Sequence, residues 1–395
     1  MRTPTVKTLA VLWLCGLCLR LTVLAIPPVI PMLHESLRLT QAEIGALASL
    51  PVLLLSFAAL PGAFLIARFG AARVLIGGIL LAGAAGALRG ASFDAATLFA
   101  TTFAMGIGIA VMQPAFPSIV REWIPERVGL ATAVYSNGLL VGEAISASLT
   151  IPLMLPLVGS NWRLSLVAWS VPVFVIAAVA ILHARSRERR AQTRPARTGL
   201  WWPDWRSPLT WRLGFIAGGC SSLYFATNAF LPDYLRQAGR PDLIAAALSA
   251  LNWVQIPASF VLLALSGKLM LRRWPLVACG VLSTVAMIGV TTSAGPWIVF
   301  WSGIIGFCTA FILILTLALP PMLVDSAHVH SVSAAVFAIG YLCAVVTPVI
   351  GGFAWDLTGA PWTAFAPAGS FGLVIIALSL GLELAPRGRP AAGPA

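Results

Sequence analysis

The chain has 395 residues, of which 59% are hydrophobic and only 10% are charged. A soluble globular protein carries about 25% charged residues, so this composition excludes an ordinary soluble domain and favours a membrane protein. The formal net charge is +12. The basic residues lie in short loops between apolar runs, where they orient a membrane protein, and we therefore expect no nucleic-acid partner.

The first predicted span contains a single charge. Arg20 lies in the middle of the apolar run from Leu9 to Leu33, which is long enough to cross a bilayer. A guanidinium stays protonated at working pH, and a charge near the bilayer midplane is costly unless it faces a watery cavity or a partner charge. We therefore predict that Arg20 contacts a solute. The alternatives are a structural ion pair and a side chain that reaches the headgroups.

Apolar runs predict an all-α, polytopic membrane protein with twelve transmembrane helices. The polar stretch 184–206 is interpreted as a basic cytoplasmic linker between a six-helix bundle at 1–183 and a second one, with a short cytoplasmic tail, at 207–395. Most Lys and Arg residues fall in loops on the same side of the membrane as the N-terminus, which predicts that both termini are cytoplasmic. The predicted spans lie near residues 8–33, 42–66, 74–92, 95–119, 130–157, 162–183, 209–235, 243–266, 275–293, 296–323, 331–353 and 362–383.

The two halves of the chain carry similar segments in the same order. The stretch 133–140 resembles 335–342, and Pro117 and Trp162 correspond to Pro320 and Trp362. A parallel repeat of two six-span halves is one of the recurring architectures of secondary transporters.

Three stretches of the chain resemble a known family, and they lie at 19–31, 106–121 and 162–172. They resemble the major facilitator superfamily and, more narrowly, its cyanate and 2-nitroimidazole permease branch (the CynX/NimT-like group). That group often has Asn and Pro beside the first-helix Arg, where this chain has Cys18 and Leu21. The resemblance implies a major-facilitator fold of two bundles with a solute site near the membrane midplane.

The resemblance and the topology together place spans 1, 4, 7 and 10 around the solute cavity, with spans 2, 5, 8 and 11 beside them. We therefore predict that uncharged polar residues of spans 4, 7 and 8 bind the solute together with Arg20. Amides inside spans also commonly hold helices together, and that alternative stays open for these residues. The predicted residues are Gln113, Tyr224, Asn228, Asn252 and Gln255.

Glu143, near the middle of span 5, is the other ionisable residue deep in a span. It follows Gly138-x-x-x-Gly142, a close-packing pattern. One interpretation is a carboxylate that carries a proton, since burial favours its neutral form. The other is a static ion pair with Arg20. Arg89, toward the outer end of span 3, is expected to extend to the headgroups.

The loop between spans 2 and 3 is a degenerate form of the superfamily motif G-x-x-x-D-R-x-G-R-R. Ala63 and Ala67 stand in place of the Gly and the Asp, while Arg68, Gly70 and Arg73 remain nearby. The resemblance implies that this loop makes gating contacts with helix ends, and we assign Arg68 and Arg73 to that role.

These features favour a secondary transporter of a small anionic or weakly acidic solute that works by alternating access, with proton coupling left open. The alternative is an exporter of neutral or cationic amphiphiles, which would suit the Gly-rich span 5 but not an unpaired Arg20. No catalytic or nucleotide-binding motif stands out, so we expect no enzyme activity, no cofactor and no metal site. We expect a monomer in the lipid bilayer of the cell inner membrane, whose partners are the solute, lipid and, if coupled, protons.

Overall fold

A computed structural model describes residues 3–39, 41–188 and 201–384. Within these ranges the chain forms helices joined by short turns, without a β-strand. The chain divides into two compact units. The first comprises Met1–Ile119 and Val134–Trp202, and the second comprises Val120–Ala133 and Pro203–Ala395.

Ten helices precede the polar stretch, and the end of α7 and the start of α8 lie in the second unit. They are α1 (Thr3–Leu17), α2 (Ile30–Leu37), α3 (Gln41–Phe57), α4 (Ala59–Phe69), α5 (Ala71–Leu88), α6 (Ala95–Met112), α7 (Ala115–Trp123), α8 (Val128–Leu149), α9 (Leu155–Leu157) and α10 (Trp162–Glu188). Seven helices follow it: α11 (Pro208–Gln237), α12 (Ile244–Trp253), α13 (Gln255–Leu269), α14 (Trp274–Thr292), α15 (Pro296–Leu323), α16 (Val329–Thr358) and α17 (Ala366–Leu380).

Most of the predicted spans appear as long apolar helices. Among the described residues, nine helical segments are long and apolar enough to cross a membrane, and the pair Ser49–Phe57 and Ala59–Phe69, bent by 52°, makes ten. Two predicted spans remain. The first span begins with α1, a shorter apolar helix, and the seventh coincides with the 30-residue helix α11. The all-helical membrane architecture predicted from the sequence is confirmed.

The first span differs from the prediction because it is not one continuous helix. Helix α1 ends at Leu17, and helical structure resumes only at the 3-10 turn Pro27–Val29. Pro27 and Pro28 have no backbone N–H and cannot donate to carbonyls one turn earlier, which favours an interruption just before them. Arg20 therefore lies in a turn segment, residues 18–26, that we call the span 1 break.

Small residues bring the helices of the first unit close together. Helix α5 packs against α6 and α10. A Cβ atom on Gly78 of α5 would lie 2.6 Å from the carbonyl oxygen of Gly108 on α6, closer than non-bonded atoms approach. Close backbone contact of this kind is typical of helix packing in membranes.

The second unit is built around α11, which packs against α16 and α17, while α14 packs against α15 and α17. The segment Val120–Ala133 belongs to this unit. Arg121 Nη1 donates a hydrogen bond to the carbonyl oxygen of Pro321, and a Cβ atom on Gly129 would lie 2.8 Å from Cγ of Met270. These contacts tie the segment to α15 and to the end of α13.

The predicted linker 184–206 contains residues 189–200, which lie outside the described residues. Directly after them, Trp201 packs edge-on against Phe64, with ring centroids 5.4 Å apart. The predicted bundle boundaries at 183 and 207 stay a prediction.

Candidate functional site

Arg20 and Glu143 meet inside the first unit. Arg20 Nε lies 3.8 Å from Glu143 Oε2, and the side chains are only 14% and 18% exposed. The sequence left an ion pair between these residues open, and the structure forms it. The two atoms are too far apart for a hydrogen bond, so their interaction is the attraction of two opposite charges largely shielded from solvent.

Glycines explain why the two side chains meet. A Cβ atom on Gly142, next to Glu143, would lie 2.6 Å from the carbonyl oxygen of Leu17, and one on Gly138 would collide with the carbonyl oxygen of Trp13. Helix α8 therefore approaches α1 at backbone distance. A 2.8 Å hydrogen bond from Trp13 Nε1 to Asn137 Oδ1 fixes the same contact.

Gln113 lies at the junction of α6 and α7 in the first unit. It forms the C-terminal cap of α6, where its backbone N–H donates to the carbonyl oxygen of Ile109, and only 5% of the residue is exposed. A buried amide at a helix junction fits both the predicted solute contact and a role in helix packing.

Three of the four predicted residues of the second unit form one hydrogen-bonded cluster. Tyr224 Oη donates to Asn252 Oδ1 at 2.6 Å, and Asn252 Nδ2 donates to Asn228 Oδ1 at 3.2 Å. Asn228 Nδ2 donates to the carbonyl oxygen of Tyr224 at 3.0 Å. We call Tyr224, Asn228 and Asn252 the amide cluster. Gln255 is buried at the start of α13 but makes none of these bonds.

The two arginines assigned to gating lie on either side of the turn between α4 and α5. Gly70 forms this turn with φ of 85°, a conformation that favours glycine. Arg68 lies over the ring of Phe69, with 5.7 Å from Cζ to the centroid, and Arg73 is exposed. The gating role stays a prediction.

The sequence predicted that Arg89 extends to the headgroups, and this prediction is wrong. Only 1% of the residue is exposed, and its Nη2 donates a 2.5 Å hydrogen bond to the carbonyl oxygen of Thr22 in the span 1 break. The glycines that flank it, Gly86 and Gly90, were the available signal, because small residues mark helix faces that pack closely.

The family model described as Major Facilitator Superfamily matches residues 12–269. The chain belongs to this superfamily. It is similar to the cyanate transport protein CynX of Escherichia coli (strain K12), with 26% identity over 379 residues that cover 94% of this chain and 96% of that protein. It is also 26% identical to the 2-nitroimidazole transporter of the same strain over 344 residues, which cover 86% of each protein.

A solved structure supports the same fold. The crystal structure of the superfamily transporter FucP in the outward conformation matches with a TM-score of 0.72 at 16% identity, over 95% of this chain and 98% of that one. The major-facilitator fold of two bundles and the likeness to the cyanate and 2-nitroimidazole branch are thereby confirmed. The chain is a multi-pass membrane transporter and not an enzyme.

Proposed function

We propose that this superfamily member carries a small anionic or weakly acidic solute by alternating access, coupled to protons. Arg20 is its anion anchor and Glu143 its proton carrier. The observation that carries this proposal is the ion pair between the two residues, shielded inside the first unit. A drug-like neutral or cationic solute would gain nothing from a guanidinium in its path.

The pair links anion binding to proton binding. While Glu143 is ionised, it neutralises Arg20, and an anion must compete with its carboxylate. Once Glu143 takes up a proton, the guanidinium is no longer compensated and attracts the anion more strongly. Because coupling between two sites is reciprocal, the bound anion in turn favours the protonated form of Glu143. This arrangement predicts that anion and proton move in the same direction.

The relatives support the solute class. The protein named for cyanate transport covers nearly the whole of this chain at 26% identity, and cyanate is a small monovalent anion. The guanidinium offers a planar fork of N–H donors that suits such an anion. The uncharged residues Gln113, Tyr224, Asn228, Asn252 and Gln255 are proposed to complete the solute contacts.

We further propose that the transporter lies in the inner membrane with both termini in the cytoplasm. The bias of Lys and Arg toward one set of loops supports this orientation. Thiol-reactive reagents that cannot cross the membrane should label an introduced Ser186→Cys only after the cells are permeabilised.

Purified protein in proteoliposomes tests the function. We expect radiolabelled cyanate, or another small anion from a panel that includes nitrate, to accumulate when the outside is acidic, and a protonophore to abolish the accumulation. Tetraphenylphosphonium, a lipophilic cation, should neither be transported nor compete. Transport of the cation without transport of any anion would overturn the proposal in favour of an amphiphile exporter.

A further inference from the structure

Arg89 brings a second guanidinium to the segment that carries Arg20. Its Nη2 donates to the carbonyl oxygen of Thr22 at 2.5 Å, and Thr22 lies two residues beyond Arg20 in the span 1 break. Arg89 is fully enclosed, with 1% exposure. A buried cation therefore contacts the same short segment as the proposed anion anchor.

Close packing around the break keeps Arg89 in this position. Gly86 lies one turn before Arg89 on α5. A Cβ atom there would lie 2.9 Å from Ser170 Oγ of α10 and 3.1 Å from Thr22 Cγ2. The break and α10 thus both pack against α5 at Gly86. Nε of Arg89 is buried in this packing without a hydrogen-bond partner, which is an expensive arrangement for a charged group.

The charges of the first unit do not balance around the break. Arg20 is paired with Glu143, whereas Arg89 takes part in none of the ion pairs formed by the described residues. Glu35 and Asp94 of this unit are exposed, and Glu43 lies half-buried in the first turn of α3. In the described part of the first unit, Glu143 is the one acidic residue deep in a span. We call Arg20, Arg89 and Glu143 the charge cluster, and its two guanidiniums and one carboxylate give it a net charge of +1.

We infer that Arg89 supplies the positive charge that draws an anion to Arg20 while Glu143 is ionised, an inference that rests on the proposed function. Without Arg89, the pair of Arg20 and Glu143 is neutral, and an incoming anion would only replace one carboxylate by another negative charge. With Arg89 present, a bound monovalent anion brings the charge cluster of Arg20, Arg89 and Glu143 from a net charge of +1 to zero. Arg89 acts through the electrostatic field of its charge and through its contact with the span 1 break. It is therefore a positioning residue rather than a solute contact.

Calorimetric binding of sodium cyanate to the purified, full-length protein tests this inference. Arg89→Gln loses the charge but keeps a donor for the Thr22 carbonyl, and Arg89→Lys keeps both. We expect Arg89→Gln to weaken binding on the order of tenfold, as for one unit charge about 10 Å away at an effective dielectric constant of about 20. Arg89→Lys should bind nearly as the native protein does.

The matched control is Arg236→Gln, which removes an exposed arginine paired with Asp233 and should leave binding unchanged. Native-like binding by Arg89→Gln would overturn the inference, and so would equal loss in Arg89→Gln and Arg89→Lys. If Arg89→Gln does not fold, Arg89→Lys alone decides, because weak binding by this charge-conserving variant contradicts an electrostatic role.

A second measurement needs no solute and separates this inference from the proposed function. Glu143→Gln leaves two uncompensated guanidiniums in the native background and one in the Arg89→Gln background. We therefore expect Glu143→Gln to lower the melting temperature more in the native protein than in Arg89→Gln. Additive shifts in melting temperature would show that the charges do not interact and would overturn the inference. If the charges couple but the native protein binds no small anion, the proposed function fails while the electrostatic role of Arg89 stands.

Discussion

The guanidinium of Arg20 and the carboxylate of Glu143 lie 3.8 Å apart, although one belongs to the span 1 break and the other to the middle of α8. An ion pair buried in this way is weak evidence for stability alone, because desolvation offsets much of the attraction. Its position inside a transporter therefore favours a role in the transport cycle.

Arg20→Ala should weaken anion binding strongly. Hydrogen bonds to charged groups contribute about 1.5–3 kcal/mol, so we expect sodium cyanate affinity, measured by calorimetry, to fall about 10- to 100-fold. Arg20→Lys should lose part of the affinity for sodium cyanate, since it keeps the charge but not the planar fork of N–H donors. Arg236→Ala, at an exposed pair with Asp233, is the control. Unchanged affinity in Arg20→Ala would remove the anion anchor from the mechanism.

Glu143→Gln separates proton coupling from a static pair. A glutamine resembles the protonated carboxyl group, so we expect exchange of labelled for unlabelled cyanate to continue while accumulation driven by a pH gradient stops. Both assays use the same proteoliposomes. A purely structural pair predicts instead that both activities fail together. Loss of stability does not separate the two cases, because breaking a buried pair costs about 3–5 kcal/mol in either one.

The amide cluster offers the third prediction. Its members bond to one another, with 2.6 Å between Tyr224 Oη and Asn252 Oδ1, so loss of Asn252 breaks bonds within the cluster as well as any solute contact. We expect Asn252→Ala to weaken cyanate binding and to destabilise the fold. Hydrogen bonds between membrane helices contribute about 0.6 kcal/mol on average and at most about 1.7 kcal/mol, which sets the size of the expected loss. Reduced melting temperature with unchanged affinity would assign the cluster to helix packing alone.

The capping residue of α6 makes stability depend on pH. Asp94 Oδ1 accepts 2.7 Å hydrogen bonds from the backbone N–H and the hydroxyl of Thr97, and these bonds lower the pKa of Asp94 below its ordinary value of 3.8. The stabilisation is therefore fully present above pH 3.8 and is lost as the pH falls through the lower, folded-state pKa.

Asp94→Ala should accordingly lower the melting temperature at pH 7, and the difference from the native protein should shrink toward pH 3. Asp94→Asn is the matched control, since asparagine also caps helices well but does not titrate. A difference between Asp94→Ala and the native protein that stays constant from pH 7 to pH 3 would contradict this account.

Much of this architecture could be predicted from the sequence because long apolar runs constrain membrane proteins strongly. The interruption of span 1 was not predicted. The prolines at 27 and 28 were visible, but an apolar run with prolines near its end is also compatible with a helix that simply stops there. Where the chain leaves the helix, after Leu17, depends on what packs against it, and the sequence does not show those neighbours.

The candidate site was predictable in its members but not in their pairing. Arg20 and Glu143 were conspicuous as charges in apolar runs, yet their contact depends on α1 and α8 approaching at their glycines. Arg89 was misjudged for a physical reason. A position toward the end of a span allows either a headgroup contact or a buried hydrogen bond, and the carbonyl of Thr22 becomes available only because span 1 is broken.

The glycine contact between α1 and α8 gives the last prediction. A methyl group on Gly138 would collide with the carbonyl oxygen of Trp13, and one on Gly142 would lie 2.6 Å from that of Leu17, so Gly138→Ala and Gly142→Ala must push the helices apart. We expect both variants to lower the melting temperature and the affinity for sodium cyanate together. Gly77→Ala on α5 meets no atom within 4 Å and should be neutral or stabilising by about 0.5–1 kcal/mol. If Gly138→Ala melted and bound like Gly77→Ala, this close contact could not be what brings Arg20 to Glu143.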